Sequence, residues 1–362
     1  MSKSIQDILI QESLSREDVI CLLKANEEET RLIFEKAAQV KTKFVGNKVY
    51  FRGLIEFSNI CSKNCYYCGI RSGNSNMTHY ELPADEVLEA AKYAYEDGYG
   101  SLVIQAGEIS SRSFVDKITH LLKEIKTMSK GKLGITLSLG EQSEETLKTW
   151  FEAGAHRYLI RIEASDRDLY SKLHPNNKVH NYDFRIESLK LLRKIGYQVG
   201  TGVMIGLPFQ TIENLADDLL FMKGLDIDMC GMGPYIEHED TPLYQYKDQL
   251  MSKQERFDLS LKMVAILRII MKDINIAATT AMQTLDDAGR EKAIKVGANV
   301  IMPNLTPLKY RDSYLLYEDK PNLDEEAAEC KKSLEERIKS IGGTIGYDEW
   351  GDSEHFQQRI KK

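Results

Sequence analysis

The sequence lacks a long hydrophobic run and lacks an excess of positive charge. No segment approaches the ~20 consecutive apolar residues that a membrane-spanning helix needs. Its 48 lysines and arginines are outnumbered by 55 aspartates and glutamates, which gives a net charge of −7. A broad binding surface for nucleic acid or anionic lipid is therefore not expected. Because residues 1–18 are polar rather than signal-like, we expect a cytoplasmic protein that binds neither nucleic acid nor a membrane.

Cysteine is scarce as well, since the 362 residues include only six. Three of them, Cys61, Cys65 and Cys68, fall within eight residues, and the others are scattered. This distribution favours metal binding over a disulfide framework. A zinc site usually has a second pair of Cys or His ligands, which the sequence does not offer. A redox CxxC would leave Cys61 unexplained.

Short apolar runs alternate with amphipathic, helix-like stretches along most of the chain. The apolar runs are 49–57, 101–106, 134–139, 157–162, 198–204, 229–233, 275–278 and 300–302. The clearest helical stretches are 83–97, 113–130, 143–153, 182–195, 211–224 and 252–271. Alternation of this kind predicts an α/β fold with a parallel sheet. Eight units favour a (β/α)8 TIM-type barrel over a doubly wound sheet, with residues 1–45 as an N-terminal helical extension, 46–310 as the barrel and 311–362 as a helical tail packing on it.

The cysteine loop follows the first predicted strand, so it lies at the C-terminal rim where barrel enzymes place their chemistry. A [4Fe–4S] cube held by only three cysteines keeps one iron open for a small molecule. The CxxxCxxC loop resembles that of the radical SAM superfamily, in which S-adenosylmethionine (SAM) binds that iron. Reduction then cleaves SAM to methionine and a 5′-deoxyadenosyl radical.

The same resemblance suggests roles for residues at other strand ends. Tyr67 would pack against adenine, Glu108 would meet the SAM amino group, and Glu163 would bind the ribose hydroxyls beside Arg161. The alternatives are a structural turn at Glu108 and a structural ion pair between Arg161 and Glu163. Arg185 could bind the methionine carboxylate, although a single helical arginine is more often solvated. We interpret His238 as a solvated loop histidine rather than a metal ligand.

Residues 43 to about 317 resemble a narrower group, the HydE maturase family of iron–iron hydrogenase. The stretches that carry this resemblance include IEFSNICSKNCYYCGIR, AGAHRYLIRIEA, GPYIEHEDTPL, AATTAMQT and GANVIMPNLTPLKYR. It implies a complete barrel with a closed cavity. The cluster ligands would be Cys61, Cys65 and Cys68, and the SAM contacts would be Tyr67, Glu108, Ser138, Arg161, Glu163, Arg185 and Met204. The lower, substrate-side cavity would be lined by Thr136, Arg157, Thr279, Thr280, Met302 and Tyr314.

One region departs from the family pattern. Some members carry three further cysteines after the eighth strand, whereas residues 317–333 here contain only Cys330. We therefore predict a single cluster. The absence of cysteine between Cys68 and Cys230 also disfavours biotin synthase, whose barrel strands hold an auxiliary cluster.

The leading hypothesis is a SAM-cleaving maturase that acts on a small iron- and cysteine-derived, organometallic substrate during assembly of the hydrogenase active-site cluster. Its expected partners are other hydrogenase maturases and a reductant such as ferredoxin or flavodoxin. A mutase that converts lysine to methylornithine, and a non-catalytic iron–sulfur carrier, remain alternatives.

Overall fold

A computed structural model describes residues 3–321, 323–324 and 326–361. The strands are β1 Lys48–Ser58, β2 Ser101–Ala106, β3 Gly134–Ser138, β4 Arg157–Leu159, β5 Gln198–Thr201, β6 Met204–Ile205, β7 Met229–Cys230, β8 Gly233–Pro234, β9 Asn275–Ile276, β10 Val300–Ile301 and β11 Thr344–Ile345. The helices are α1 Ile5–Leu9, α2 Arg16–Leu23, α3 Glu27–Phe44, α4 Ala84–Glu96, α5 Arg112–Met128, α6 Glu144–Glu152, α7 Arg167–Leu173, α8 Tyr182–Ile195, α9 Ile212–Gly224, α10 Lys253–Ile270, α11 Thr280–Leu285, α12 Gly289–Val296, α13 Leu308–Arg311, α14 Ala327–Ser340 and α15 Glu354–Ile360. Two 3₁₀ helices span Lys178–His180 and Pro242–Gln249.

Eight parallel strands form the central sheet, in the order β10-β1-β2-β3-β4-β5-β7-β9. The two ends of this series meet, because Ala277 forms a parallel bridge with Val300 and the N–H of Ala278 donates to the Val300 carbonyl at 2.8 Å. Helices occupy the connections between successive strands. The predicted (β/α)8 architecture is therefore confirmed, and the doubly wound alternative is wrong.

The predicted helices lie within two residues of their expected bounds because capping residues mark where they begin. Ser143, Thr211 and Ser252 each accept a hydrogen bond from the backbone N–H three residues later, at 3.1, 3.2 and 3.2 Å. Such caps satisfy N–H groups that the first helical turn cannot pair internally. Each βα unit thus places its strand end, and the loop that follows, at a defined position on the rim.

Two predicted strands, 198–204 and 229–233, are each broken into two short pieces. The breaks fall where Gly202 approaches Gly231, and a Cβ added to Gly202 would lie 1.9 Å from the Gly231 carbonyl oxygen. Beyond the breaks, β6 and β8 pair with each other. Only glycine allows this close approach of the two backbones, and the second pieces of both strands then form a separate two-stranded sheet.

The bottom of the barrel, at the N-terminal ends of the strands, is covered by residues 346–353, which we call the closing segment. It follows β11, which pairs in parallel with the start of β1. Its Gly351 carbonyl accepts hydrogen bonds from Arg52 at 3.1 Å and from Asn275 at 2.8 Å. The C-terminal tail is therefore part of the barrel's floor as well as a pair of helices outside it.

In the described part of the chain, no helix is both long enough and apolar enough to cross a bilayer.

Candidate active site

A cavity of about 340 Å³ opens at the C-terminal ends of the strands and reaches into the barrel. All three cysteines of the loop line it. Of the other predicted site residues, those that line the same cavity are Tyr67, Glu108, Ser138, Arg161, Glu163, Arg185, Met204, Thr279, Thr280, Met302 and Tyr314. The structure thus brings strand ends and loops that are far apart in sequence to one enclosed space.

Two predicted substrate residues lie elsewhere. Thr136 lines a smaller cavity of about 40 Å³ deeper in the barrel, which shares Met302 with the large one. Arg157 is fully buried and lines neither of these cavities. Its guanidinium lies 2.8 Å from the Asp352 carboxylate of the closing segment. Because Arg157 begins β4 rather than ending it, its side chain belongs to the bottom of the barrel and not to the substrate cavity predicted for it.

The cysteine loop presents its thiols toward the cavity without forming any disulfide. The backbone N–H groups of Lys63 and Glu108 donate to Cys61 Sγ at 3.4 and 3.2 Å. Donors of this kind stabilise thiolate ligands of iron–sulfur clusters and tune their potentials. Gly107 makes the arrangement possible, since a Cβ there would lie 2.3 Å from the Ile60 carbonyl oxygen and 2.7 Å from Cys61 Cβ.

Burial disfavours the thiolate form of the three cysteines when no metal is bound. Burial raises the pKa of Cys65 to about 12 and also raises the pKa of Cys61 and of Cys68. In the described part of the chain, no group of three or more His, Cys, Asp or Glu side chains is arranged to hold a single metal ion. In a [4Fe–4S] cube each cysteine binds a different iron, and three thiols from one loop that share one cavity fit that role.

A buried network of two cations and two carboxylates supports the loop. Lys63 Nζ lies 3.1 Å from Glu108 and 2.9 Å from Glu141. Arg185 pairs with the other oxygen of Glu141 and donates from Nη1 to the Arg161 carbonyl at 2.8 Å. Arg185 is therefore buried and held in place rather than solvated. Neither Lys63 nor Glu141 was predicted as a site residue, although Lys63 lies within the cysteine loop itself.

Arg161 and Glu163 form the expected pair, with Nη2 and Oε2 2.9 Å apart. Strand β4 ends before them, and Glu163 has a left-handed backbone with φ of 65°. Burial raises the pKa of Glu163, against the opposing effect of Arg161 and Arg185. The Glu163 Oε2 atom accepts no well-formed hydrogen bond, so this carboxylate can still accept one from a ligand hydroxyl.

The side chain of Tyr67, in the cysteine loop, is held in place by His174. The Tyr67 hydroxyl lies 3.2 Å from His174 Nε2, and its ring packs edge-on against that imidazole with centroids 5.4 Å apart. A rigid ring at the mouth of the cavity is suited to packing against a flat ligand such as adenine.

The same cavity is also lined by charged residues that no sequence motif predicted. Lys320 Nζ lies 2.5 Å from Glu56, whose other oxygen accepts from Asn304 at 3.2 Å. Arg290 donates to Thr280 Oγ1 at 2.9 Å. Tyr314 accepts a hydrogen bond from Gln105 at 3.1 Å. No local motif marks Lys320 or Arg290, since both lie in charged stretches typical of solvated surface.

The interpretation of His238 as a solvated histidine is wrong. It is buried, with a relative exposure of 8%, and its Nδ1 accepts from the Asp240 N–H at 3.1 Å. Gly69 of the cysteine loop lies against the ring, since a Cβ at Gly69 would lie 2.6 Å from His238 Cδ2. His238 therefore packs beneath the cysteine loop.

Comparison with known proteins decides the family. Residues 55–222 match the profile of the Radical SAM superfamily. The chain is 44% identical over 319 residues to the [FeFe] hydrogenase maturase subunit HydE of Thermotoga maritima, covering 88% of each chain. It belongs to the HydE family.

Members of this family are radical SAM enzymes, and the chain is accordingly a SAM-cleaving enzyme with a [4Fe–4S] cluster and SAM as cofactors. A more distant relative, the 3-methylornithine synthase of Methanosarcina acetivorans, is 28% identical over 334 residues, covering 91% of this chain and 89% of its own. The crystal structure of a methylornithine synthase has the same fold, with a TM-score of 0.79 at 23% identity over 95% of this chain and 98% of that one.

Proposed function

We propose that this protein is a maturase of [FeFe] hydrogenase that cleaves SAM reductively and uses the resulting radical on a small iron- and cysteine-derived substrate. The observation that carries the proposal is the continuous cavity, which is lined by the three cysteines of the loop and also by hydroxyl and charged groups from other strand ends and from the C-terminal region. A cluster at the mouth and a substrate below it would share one cavity within the barrel. The 44% identity to a HydE protein supports the same conclusion.

At the mouth, Cys61, Cys65 and Cys68 would hold the cluster, which when bound and reduced supplies the electron that cleaves SAM. Glu163 would accept hydrogen bonds from the SAM ribose, and Tyr67 would pack against its adenine. Arg185 would face the methionine carboxylate, since Glu141 fixes its orientation. Glu108, Ser138, Arg161 and Met204 complete the proposed SAM site.

At the deep end, Thr279, Thr280, Met302 and Tyr314 would contact the substrate. The family resemblance also suggests Thr136 and Arg157 as substrate residues, but neither lines the large cavity. Arg157 instead forms an ion pair with Asp352. Leu54, Val103 and Ile160 also line the cavity. Their apolar side chains would keep water away from a reactive radical.

Residues 46–310 would form the catalytic barrel, with 1–45 and 311–362 as extensions packed on it. A reductant such as ferredoxin or flavodoxin and other hydrogenase maturases are the proposed partners, in the cytoplasm.

The direct test is a reconstituted maturation mixture that contains apo-hydrogenase, the other maturases, a reductant and SAM, with this protein as the only HydE. We expect active hydrogenase with the wild-type chain and none with Cys61→Ala. If a known HydE supports maturation in the same mixture and this protein does not, the proposal fails.

A lysine mutase is the second candidate, because 3-methylornithine synthase is related over most of the chain. Such a mutase would turn over SAM only when lysine is present. Its product would be methylornithine, which mass spectrometry detects. We expect no such product. Membership of an enzyme superfamily disfavours the third hypothesis, a non-catalytic iron–sulfur carrier, which would form no 5′-deoxyadenosine.

A further inference from the structure

Arg290 differs from the other charged groups that line the cavity. It lies in the first turn of α12 with a relative exposure of 3%. Only Nη2 makes a hydrogen bond, to Thr280 Oγ1 at 2.9 Å. Its Nε and Nη1 are buried without any hydrogen-bond partner, and no other arginine in the described residues has two such nitrogens.

The remaining charges of the cavity balance one another. Lys63 and Arg185 pair with Glu108 and Glu141. The other two pairs are Arg161 with Glu163 and Lys320 with Glu56. Among the described residues, Arg290 has no carboxylate within salt-bridge distance. Once Glu141, which lies outside the cavity lining, is counted with the carboxylates that line it, Arg290 is the one cation of the cavity without a carboxylate partner in the part of the chain that the structure describes.

A buried guanidinium without a counter-ion is destabilising, because it has lost its hydration and gained nothing in return. Burial accordingly lowers the pKa of Arg290. Natural proteins retain such a group where a ligand completes it. Nε and Nη1 lie on opposite edges of the guanidinium, and Thr280 takes one of the two Nη2 hydrogens. A carboxylate can therefore accept two hydrogen bonds at once, one from the other Nη2 hydrogen and one from the neighbouring Nε or Nη1.

We propose that Arg290 is a substrate-binding residue that recognises a carboxylate at the Thr280 end of the cavity. The Nη2 bond occupies a lone pair of Thr280 Oγ1, so the Thr280 hydroxyl hydrogen can donate to the same carboxylate. The substrate class is then a small, amino-acid-derived carboxylate, which deepens the proposed function and rests on it for the identity of the substrate. The anion neutralises the excess charge of the cavity when it binds.

The test uses the reconstituted holoenzyme with SAM and two isosteric probes, L-serine and L-serinamide, which differ only in the carboxylate. Isothermal titration calorimetry compares their dissociation constants. We expect wild type to bind L-serine about tenfold or more tighter than L-serinamide. Arg290→Gln removes this preference, and Arg290→Lys retains part of it.

Two controls separate recognition from general effects. Arg337→Gln removes a positive charge that pairs with Glu291 outside the cavity, and it leaves the L-serine preference unchanged. Arg268 is also a fully buried arginine, but it donates to the carbonyls of Gly297, Lys272 and Ile274. Arg268→Gln therefore lowers the melting temperature, whereas Arg290→Gln melts no lower than wild type.

Equal affinity of wild type for the two probes, or an unchanged preference in Arg290→Gln, would overturn the inference. A melting temperature for Arg290→Gln that falls as far as that of Arg268→Gln would also overturn it, because Arg290 would then be structural. The maturation assay is independent of these results. A protein that matures hydrogenase without preferring L-serine refutes this inference alone, and a protein with the preference that fails in maturation refutes the proposed function alone.

Discussion

The two ends of the barrel use buried charge in opposite ways. At the bottom, Asp352 accepts hydrogen bonds from Arg157 at 2.8 Å and Gln198 at 2.7 Å, and it lies 3.3 Å from His156. At the top, the cavity contains three thiols and the unpaired guanidinium of Arg290. The bottom is completed by the chain itself, and the top requires ligands for completion. In one barrel, the same chemical groups therefore stabilise the fold at one end and, in our proposal, bind ligands at the other.

The largest effect expected at the top is the loss of the cluster. Replacing Cys61, Cys65 or Cys68 with Ala removes one of three ligands, so iron content and 5′-deoxyadenosine formation should fall to background. The assay is iron analysis and chromatography of SAM incubations with dithionite. Cys21→Ala is the matched control, because Cys21 lies in α2 and does not line the cavity. Normal SAM cleavage by a loop variant would contradict the assignment of the cluster.

The largest effect expected at the bottom is on stability. Asp352→Ala leaves buried Arg157 without its carboxylate, which should lower the free energy of unfolding by about 3 kcal/mol. Urea denaturation measures this change. Glu349→Ala removes only the exposed pair with Lys48, and should cost less than about 1 kcal/mol. If the two variants were equally stable, the closing segment would not anchor the barrel floor as described.

A smaller effect at the top comes from Gly107→Ala. The new methyl group collides with the Ile60 carbonyl and displaces the cysteine loop. The rate of SAM cleavage should fall by about tenfold to 100-fold, since small displacements at a reacting centre are costly. Gly224→Ala is the control, because nothing lies within 4 Å of a Cβ at that position. Equal rates for both variants would show that the loop tolerates the displacement.

The most gradual effect concerns pH and the network at the bottom of the barrel. Burial lowers the pKa of His156 to about 3, with a further contribution from Arg157. The neutral ring fits its surroundings, because Nδ1 accepts from the Ile135 N–H at 3.4 Å. The unfolded chain therefore takes up a proton that the folded chain does not, between pH of about 6.5 and 3.

Stability should accordingly fall as the pH drops through this window, with His156 contributing at most about 1.4 kcal/mol per pH unit. His156→Gln should make the acid limb of a stability–pH curve less steep. His174 and His180, whose pKa values burial also lowers, continue to contribute. An unchanged slope would show that His156 is not held neutral in the folded state.

Much of this arrangement can be predicted from sequence, because local patterns determine it. Cap residues such as Ser143 and Ser252 set the helix bounds, and the strand–loop order puts Cys61, Glu108 and Glu163 on one rim. A structural role for Arg157 could also have been predicted, because Arg157 lies at the start of its strand. Residues at the N-terminal ends of barrel strands more often serve stability than catalysis.

What the sequence could not reveal depends on contacts between distant parts of the chain. The broken strands follow from the approach of Gly202 to Gly231, which no hydrophobic pattern records. Lys320 reaches Glu56 across 264 residues, and Asp352 reaches Arg157 across 195. Arg290 can be identified as a candidate ligand-binding residue only from the structure, which shows that its Nε and Nη1 atoms have no hydrogen-bond partner among the described residues.

The most direct test of the account is electron paramagnetic resonance of the reduced, reconstituted protein, combined with iron analysis, with and without SAM. A single cluster with an open iron should give about four irons per chain and one [4Fe–4S] signal that changes when SAM binds to that iron. About eight irons per chain with a second signal, or a single signal that SAM does not alter, would contradict it.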